Sequence, residues 1–323
     1  TSIHSLMECE CRSCGGHIYR HRVTTERNVS LNNMAKTTAC LAVVLVLGVM
    51  TVGVTWGGVT ERGGSSGLAS PPVCNCGTTN QTARVVNGFR AKPGEIPWQA
   101  GVQMKNQGVW DVMCGASVIS STYLLTAAHC MEVSSCSAYR ILAGILNLFL
   151  PSPQYMVIGI FIPPRLPNYL ENDIAIMKLA SPLPFSSALS PICLPPFNTN
   201  ETFVGKKILV SGWGAINVQG TRPDKLSKGV LIGVNWTDCL KVYGPKQLTK
   251  DMFCAMAPNM ETGNGDSGGP AAFKATDGVW FLPGVISWGD TVGYPSVFTR
   301  VVSHLTWIHN KTNNSICTRP FRP

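Results

Sequence analysis

Three short segments, distant from one another along the chain, carry the residue types that hydrolysis of an amide requires. Gly265-Asp266-Ser267-Gly268-Gly269-Pro270 sets a serine among glycines, where the backbone can bend tightly and bring two N–H groups up to a substrate carbonyl. Leu125-Thr126-Ala127-Ala128-His129-Cys130 sets a histidine after two small residues and beside a cysteine able to tether the turn. Asn172-Asp173-Ile174-Ala175-Ile176 puts a carboxylate at the start of an apolar strand, where it would be largely buried and could fix an imidazole tautomer. At neutral pH the reaction needs a nucleophile better than water, a base for its proton, a group to hold that base, and donors for the developing oxyanion. Singly, the segments read as a core histidine, a capping aspartate and a glycine-rich turn. Together, in the order His, Asp, Ser, they supply every part.

The elements that must bring these segments together are strands. Charged residues make up only 13% of the 323, glycines number 32 and prolines 22, and 45% apolar residues are ample for a core. No heptad or solenoid period runs through the chain, so a turn-rich all-β domain is favoured over a helical bundle. From Val85 onward short β-rich runs recur between turn signals: VWDVMCGASVIS, YRILAGI, DIAIMKL, KKILVSGWG, WFLPGVISWG and PSVFTRVV. Only the stretch from Ser303 to Thr312 has helical spacing, with Leu305 and Ile308, flanked by Trp307, able to pack one face.

From Val85 to about Thr312 the chain resembles the chymotrypsin/trypsin family of serine peptidases. The resemblance rests on Val85-Val86-Asn87-Gly88, Pro97-Trp98-Gln99, the three segments above, Gly212-Trp213-Gly214 and Ser287-Trp288-Gly289. It implies an all-β fold of two packed antiparallel β-barrels, a cleft between them, and a short C-terminal helix. It further implies a serine endopeptidase with a catalytic triad, His129 as base and then acid, Asp173 as its orienter and Ser267 as acyl nucleophile. The N–H groups of Gly265 and Ser267 would form the oxyanion hole, and Ser287 would be a partner of Asp173. Cleavage after Arg84 would free the amino group of Val85 to insert and pair with Asp266, switching on a zymogen. A catalytically silent relative, kept as a binding or regulatory protein, is the alternative; such relatives usually lack a triad residue, and this chain lacks none.

The same resemblance pairs Cys114 with Cys130, Cys239 with Cys254, and Cys193 with Cys76 or Cys74, leaving Cys136 and Cys317 open. It places the base of the substrate pocket at Glu261, six residues before the nucleophile, with Ser287, Gly289 and Ser296 as walls. An acidic base would attract Arg or Lys, and a solvated glutamate on a mobile loop is the competing reading. Here the chain departs from the family: where most relatives have a pocket disulfide it has Gly263 and Val292. Both halves are missing together, which fits a tolerated change better than decay, while the pocket walls lose a staple.

Ahead of the peptidase domain (85–323), Ala39 to Val54 is almost wholly apolar. Begun at Met34, residues 34–58 read as a signal peptide, with 1–33 an untranslated leader, as expected of a translation that runs upstream of the start. Begun at residue 1, the same run anchors the protein behind a cytoplasmic leader bearing Arg12, Arg20, Arg22, Arg27 and Lys36. Residues 59–84, rich in Gly, Ser, Thr and Pro, read as a propeptide or linker. Thirteen cysteines and sequons at Asn80, Asn200, Asn235, Asn310 and Asn313 agree on a secreted, extracellular glycoprotein, or on a membrane-anchored one with its peptidase domain outside. Cys9, Cys11, Cys14, His17 and His21 have spacings that superficially suit zinc, but are crowded together with no apolar core around them. No metal or organic cofactor is expected. The net charge of +9 is scattered rather than gathered into a run, which argues against nucleic acid. Expected partners are protein or peptide substrates, an activating protease and protein inhibitors.

Overall fold

Short apolar runs bounded by turns fold as antiparallel strands, because a strand with one buried face must close against others to satisfy its backbone. The computed structural model of the chain describes residues 8–10 (backbone alone), 75–79, 90–164, 171–197, 199–215, 221–258, 263, 265–289, 293–316 and 319–322. The signal or anchor segment, the propeptide apart from 75–79, and Arg84, Val85, Glu261, Val292, Cys74 and Cys317 lie outside these residues, as do the side chains of the N-terminal Cys/His group.

The first barrel is built from β2 (Gln99–Asn106), β3 (Val109–Val118), β4 (Tyr123–Thr126), β5 (Tyr139–Ala143), β6 (Gln154–Phe161) and β7 (Ala175–Leu179). Its strands run β5-β2-β3-β4-β7, and β6 pairs with both β5 and β7 to close the ring. A three-residue strand, β1 (Glu8–Glu10), adds to β6 opposite Gly159 to Phe161. The second barrel closes in the order β10-β13-β12-β11-β8-β9, from β8 (Lys207–Gly212), β9 (Ser227–Gly233), β10 (Met252–Met256), β11 (Pro270–Lys274), β12 (Trp280–Trp288) and β13 (Ser296–Arg300). Two closed six-stranded antiparallel barrels are the architecture that the resemblance implied.

Helix α2 (Leu305–Lys311), entered through a 3₁₀ turn at Val301–His304, buries Leu305 and Ile308 as their spacing required. A second helix, α1 (Trp236–Tyr243), corrects the expectation that only the C-terminal stretch is helical. At eight residues its periodicity is too brief to stand out; local chemistry makes it instead. The Asn235 side chain caps it by accepting from Thr237 N, Gly244 ends it, and Cys239 and Tyr243, one turn apart, face inward. No helix among the described residues is long and apolar enough to cross a membrane.

The segment leading into β2 lies on the second barrel before it enters the first. Arg90 bridges to Ser227, and Ala91 N donates to Leu226 O at 2.8 Å. Further along, Lys228 of β9 hydrogen-bonds Glu95, whose other carboxylate oxygen accepts from Lys92 N at 2.8 Å. With side chains 6% and 9% exposed, Lys228 and Glu95 form a buried ion pair in which either charge alone would be stranded. Across the barrel seam, Ser211 Oγ donates to Gln99 Oε1 at 2.6 Å and Trp213 Nε1 to Leu146 O at 3.1 Å.

Lys228→Met should lower unfolding stability by about 3–5 kcal/mol, since it leaves the Glu95 carboxylate buried without its partner. Replacing both with apolar residues of similar volume should recover most of that loss. Urea unfolding of the disulfide-intact chain measures both.

Candidate active site

Asp173 sits just before β7 and is 2% exposed, so its charge survives only because the fold surrounds it with donors. Oδ1 accepts from His129 N at 2.8 Å; Oδ2 accepts from His129 Nδ1 at 2.7 Å and from Ser287 Oγ at 2.5 Å. Burial pushes the carboxyl upward, but the hydrogen bonds from His129 and Ser287 and the nearby imidazole outweigh it, and the group rests below its ordinary value. Thr299 of β13 adds a hydrogen bond from its Oγ1 to Asp173 O at 2.9 Å. The imidazole side chain is 40% exposed against 3% for Asp173: one edge is fixed and the rest is open to solvent. Such a pair can hold the histidine with Nδ1 protonated and Nε2 free to accept a proton.

Ser267 stands in the turn that feeds β11, which β3 and β12 grip by the backbone. Gly115 N donates to Ser267 O at 2.8 Å, and Gly268 N to Ile286 O at 2.8 Å. Two glycines permit this path. Gly265 and Gly268 have φ of +103° and +78°, and a Cβ on Gly268 would lie 2.2 Å from Thr126 Oγ1 and 2.9 Å from Ala127 N. The serine loop is thus pressed against the residues that precede His129. Ser267 O also lies 3.7 Å from Cys130 Sγ, whose bond to Cys114 anchors the histidine turn and consumes both thiols. No hydrogen bond among the described residues joins His129 Nε2 to Ser267 Oγ, a contact that in unliganded sites is often long.

Asp266 is held by main-chain donors. Its Oδ1 accepts from Gly214 N and its Oδ2 from Gly263 N, each at 2.8 Å. Burial dominates and raises its carboxyl, against those two N–H groups and the Arg222 cation. Arg84 and Val85, expected to engage it, lie outside the described residues.

Of the residues expected to line a substrate pocket, Ser287 and Ser296 are buried at facing ends of β12 and β13, Gly289 follows directly on β12, and Glu261 is outside the described residues. Gly263, where the family keeps a cysteine, approaches Ala215 so closely that a Cβ would lie 2.0 Å from Ala215 O. A side chain is excluded there by packing. Tyr243 of α1, which the sequence did not mark, braces the same walls: its hydroxyl donates to Pro295 O at 2.5 Å and its ring meets Trp288 edge-on at 4.8 Å. Its signal was faint, a tyrosine four residues after Cys239.

The structure joins Cys76 to Cys193, Cys114 to Cys130 and Cys239 to Cys254. Cys136 is likewise in a disulfide.

The family model described as Trypsin matches residues 85–308. Transmembrane protease serine 11C of Mus musculus is 34% identical over 241 residues, 71% of this chain and 54% of that protein. Ovochymase of Halocynthia roretzi is 34% identical over 264 residues, 78% of this chain and 16% of its own length. Transmembrane protease serine 9 of Rattus norvegicus is 32% identical over 256 residues, 75% and 23% respectively. The chain therefore spans about half of the first relative and under a quarter of the other two. With two closed barrels, an imidazole held by a buried carboxylate at their seam, and a family match over most of its length, the chain belongs to the trypsin family of serine proteases.

Proposed function

We propose that the chain is a serine endopeptidase made as a zymogen, activated by cleavage after Arg84, that cuts peptide bonds after Arg or Lys through an acyl-enzyme. The observation that carries this reading is the half-open imidazole of His129, clamped by a carboxylate that is itself clamped by Ser287. Ser267 Oγ attacks the substrate carbonyl while His129 Nε2 takes its proton. The N–H groups of Gly265 and Ser267 hold the oxyanion, and His129 returns the proton to the departing amine. Water then repeats the sequence on the ester and frees Ser267. Activation is read from Asp266: a half-buried carboxylate that burial pushes upward gains an ionic partner when Val85 becomes a free amine. Glu261 at the pocket base supplies the Arg/Lys preference.

The Cys76–Cys193 bridge spans the proposed cut and would keep residues 59–84 attached afterwards. The peptidase domain works outside the cell, freed by removal of residues 34–58 or anchored through residues 39–54; N-terminal sequencing of the product separates the two. Its partners are protein substrates, an activating protease and protein inhibitors. A silent binding protein is the second reading, favoured by the missing pocket disulfide at Gly263.

A fluorophosphonate should label the chain cut after Arg84 and leave Ser267→Ala unlabelled; no labelling of the cut chain would sink the enzyme reading. Asp173→Asn should retain substrate binding and lose about 10⁴-fold in kcat, because the amide cannot hold the imidazole in the required tautomer. Because the Asp173 carboxyl lies below its ordinary value, it stays ionised where imidazoles titrate, so kcat/KM should rise with pH along a limb of one proton. The same depressed carboxyl adds stability that is present above the ordinary aspartate value and fades as pH falls through the folded one. On matched peptides, cleavage after Arg or Lys should exceed that after Tyr, Leu or Ala; equal or faster turnover of the latter would place Glu261 outside the pocket.

A further inference from the structure

Arg222 stands beside the serine loop, and the steps above make no use of it. Its Nη1 donates to Val112 O at 2.5 Å and lies 3.4 Å from Asp111 Oδ2, both on β3. Its Nη2 faces the other way: a Cβ on Gly265 would lie 3.7 Å from it, and it has no hydrogen-bond partner among the described residues. A guanidinium is a rigid planar fork, so fixing one prong on a main-chain carbonyl aims the other. Asp266, whose carboxyl feels the Arg222 cation, has both oxygens engaged by backbone N–H groups. Asp111 is 78% exposed and the Arg222 side chain 42% exposed, which makes their pairing a weak, solvent-screened one that another carboxylate can displace.

The side of the cleft follows from the chemistry. His129 must hand its proton to the departing amine, and the Cys114–Cys130 bridge ties the histidine turn to β3. Residues after the scissile bond therefore leave along β3, where Arg222 is anchored, whereas the acyl side runs toward Ser287, Gly289 and Ser296 on the other barrel. An aimed donor with positive charge, next to the oxyanion glycine and on the leaving-group side, fits a carboxylate better than any neutral group.

We propose that Arg222 is a specificity-determining residue whose Nη2 engages an acidic side chain within the first two residues after the scissile bond. The proposal rests on the peptidase reading and adds to it a preference on the side opposite the Arg/Lys pocket.

The test uses the full chain cut after Arg84 and peptides sharing whichever acyl side it cleaves fastest, with Glu or Lys at the two positions that follow. Attraction of one charge and repulsion of the other at a partly exposed site should give a Glu-over-Lys ratio in kcat/KM of about tenfold. Arg222→Gln should bring the ratio within about twofold of unity, and Arg222→Glu should invert it. Each ratio is taken within one enzyme, so a general loss transmitted through Asp266 cancels, and loss of packing alone would not produce inversion. A wild-type ratio near one, or a ratio that survives both substitutions, overturns the proposal. Fluorophosphonate labelling in parallel separates the failures: label without a Glu preference ends this proposal alone, and no label ends the peptidase reading with it.

Discussion

One buried negative charge organises the molecule. Asp173 belongs to the first barrel by sequence, yet of the groups that hold its carboxylate, His129 comes from that barrel and Ser287 from the second, while Thr299 holds its carbonyl. An unpartnered carboxylate at that depth would be too costly to keep, so the barrels must dock with their seam in register for the charge to exist. Docking and the preparation of the imidazole are therefore one event. One apolar cluster, from Trp98 and Leu125 to Leu282 and Val285, runs through both barrels, and this polar knot adds a directional contact to it.

The candidate triad residues stand out in the sequence because each lies in a short segment whose chemistry is complete in a few letters, and the fold brings His129 and Asp173 of that set into contact. Strands such as β7 and β12 were legible for a similar reason: their runs are mostly apolar, broken in β7 by Lys178 alone and in β12 by Pro283-Gly284 and Ser287. Helix α1 was not, since its eight residues owe their form to a cap, a terminating glycine and the Cys239 bridge rather than to periodicity. Thr299, Tyr243 and Arg222 were invisible for a different reason. Each acts on a residue more than fifty positions away, and nothing in a single sequence ties a β13 threonine to an aspartate ahead of β7.

The loops around the proposed substrate pocket show how one kind of constraint can stand in for another. Sequence alone makes Gly263 a lost cysteine; in the fold it is a residue that cannot bear a side chain, because Ala215 O occupies the space. The loop that a disulfide holds in relatives is drawn in here by contact, with Gly263 N hydrogen-bonded to Asp266. Across the pocket, Tyr243 grips Pro295 O and Trp288. Hydrogen bonds and packing yield more readily than a covalent bond, which permits walls that adjust to what enters.

The anchoring of Arg90 to Ser227 and of Ala91 to Leu226 also sets a length scale. Five residues of extended chain reach no more than about 17 Å, so a Val85 amine released by cleavage would remain within that radius of β9. One group confined to such a sphere has an effective concentration on the order of 0.1 M, without any partner in solution. The activating ligand of this chain would then be a piece of itself on a short leash. Dilution could not reverse the switch, and its strength would be governed by the number of residues between Val85 and Arg90.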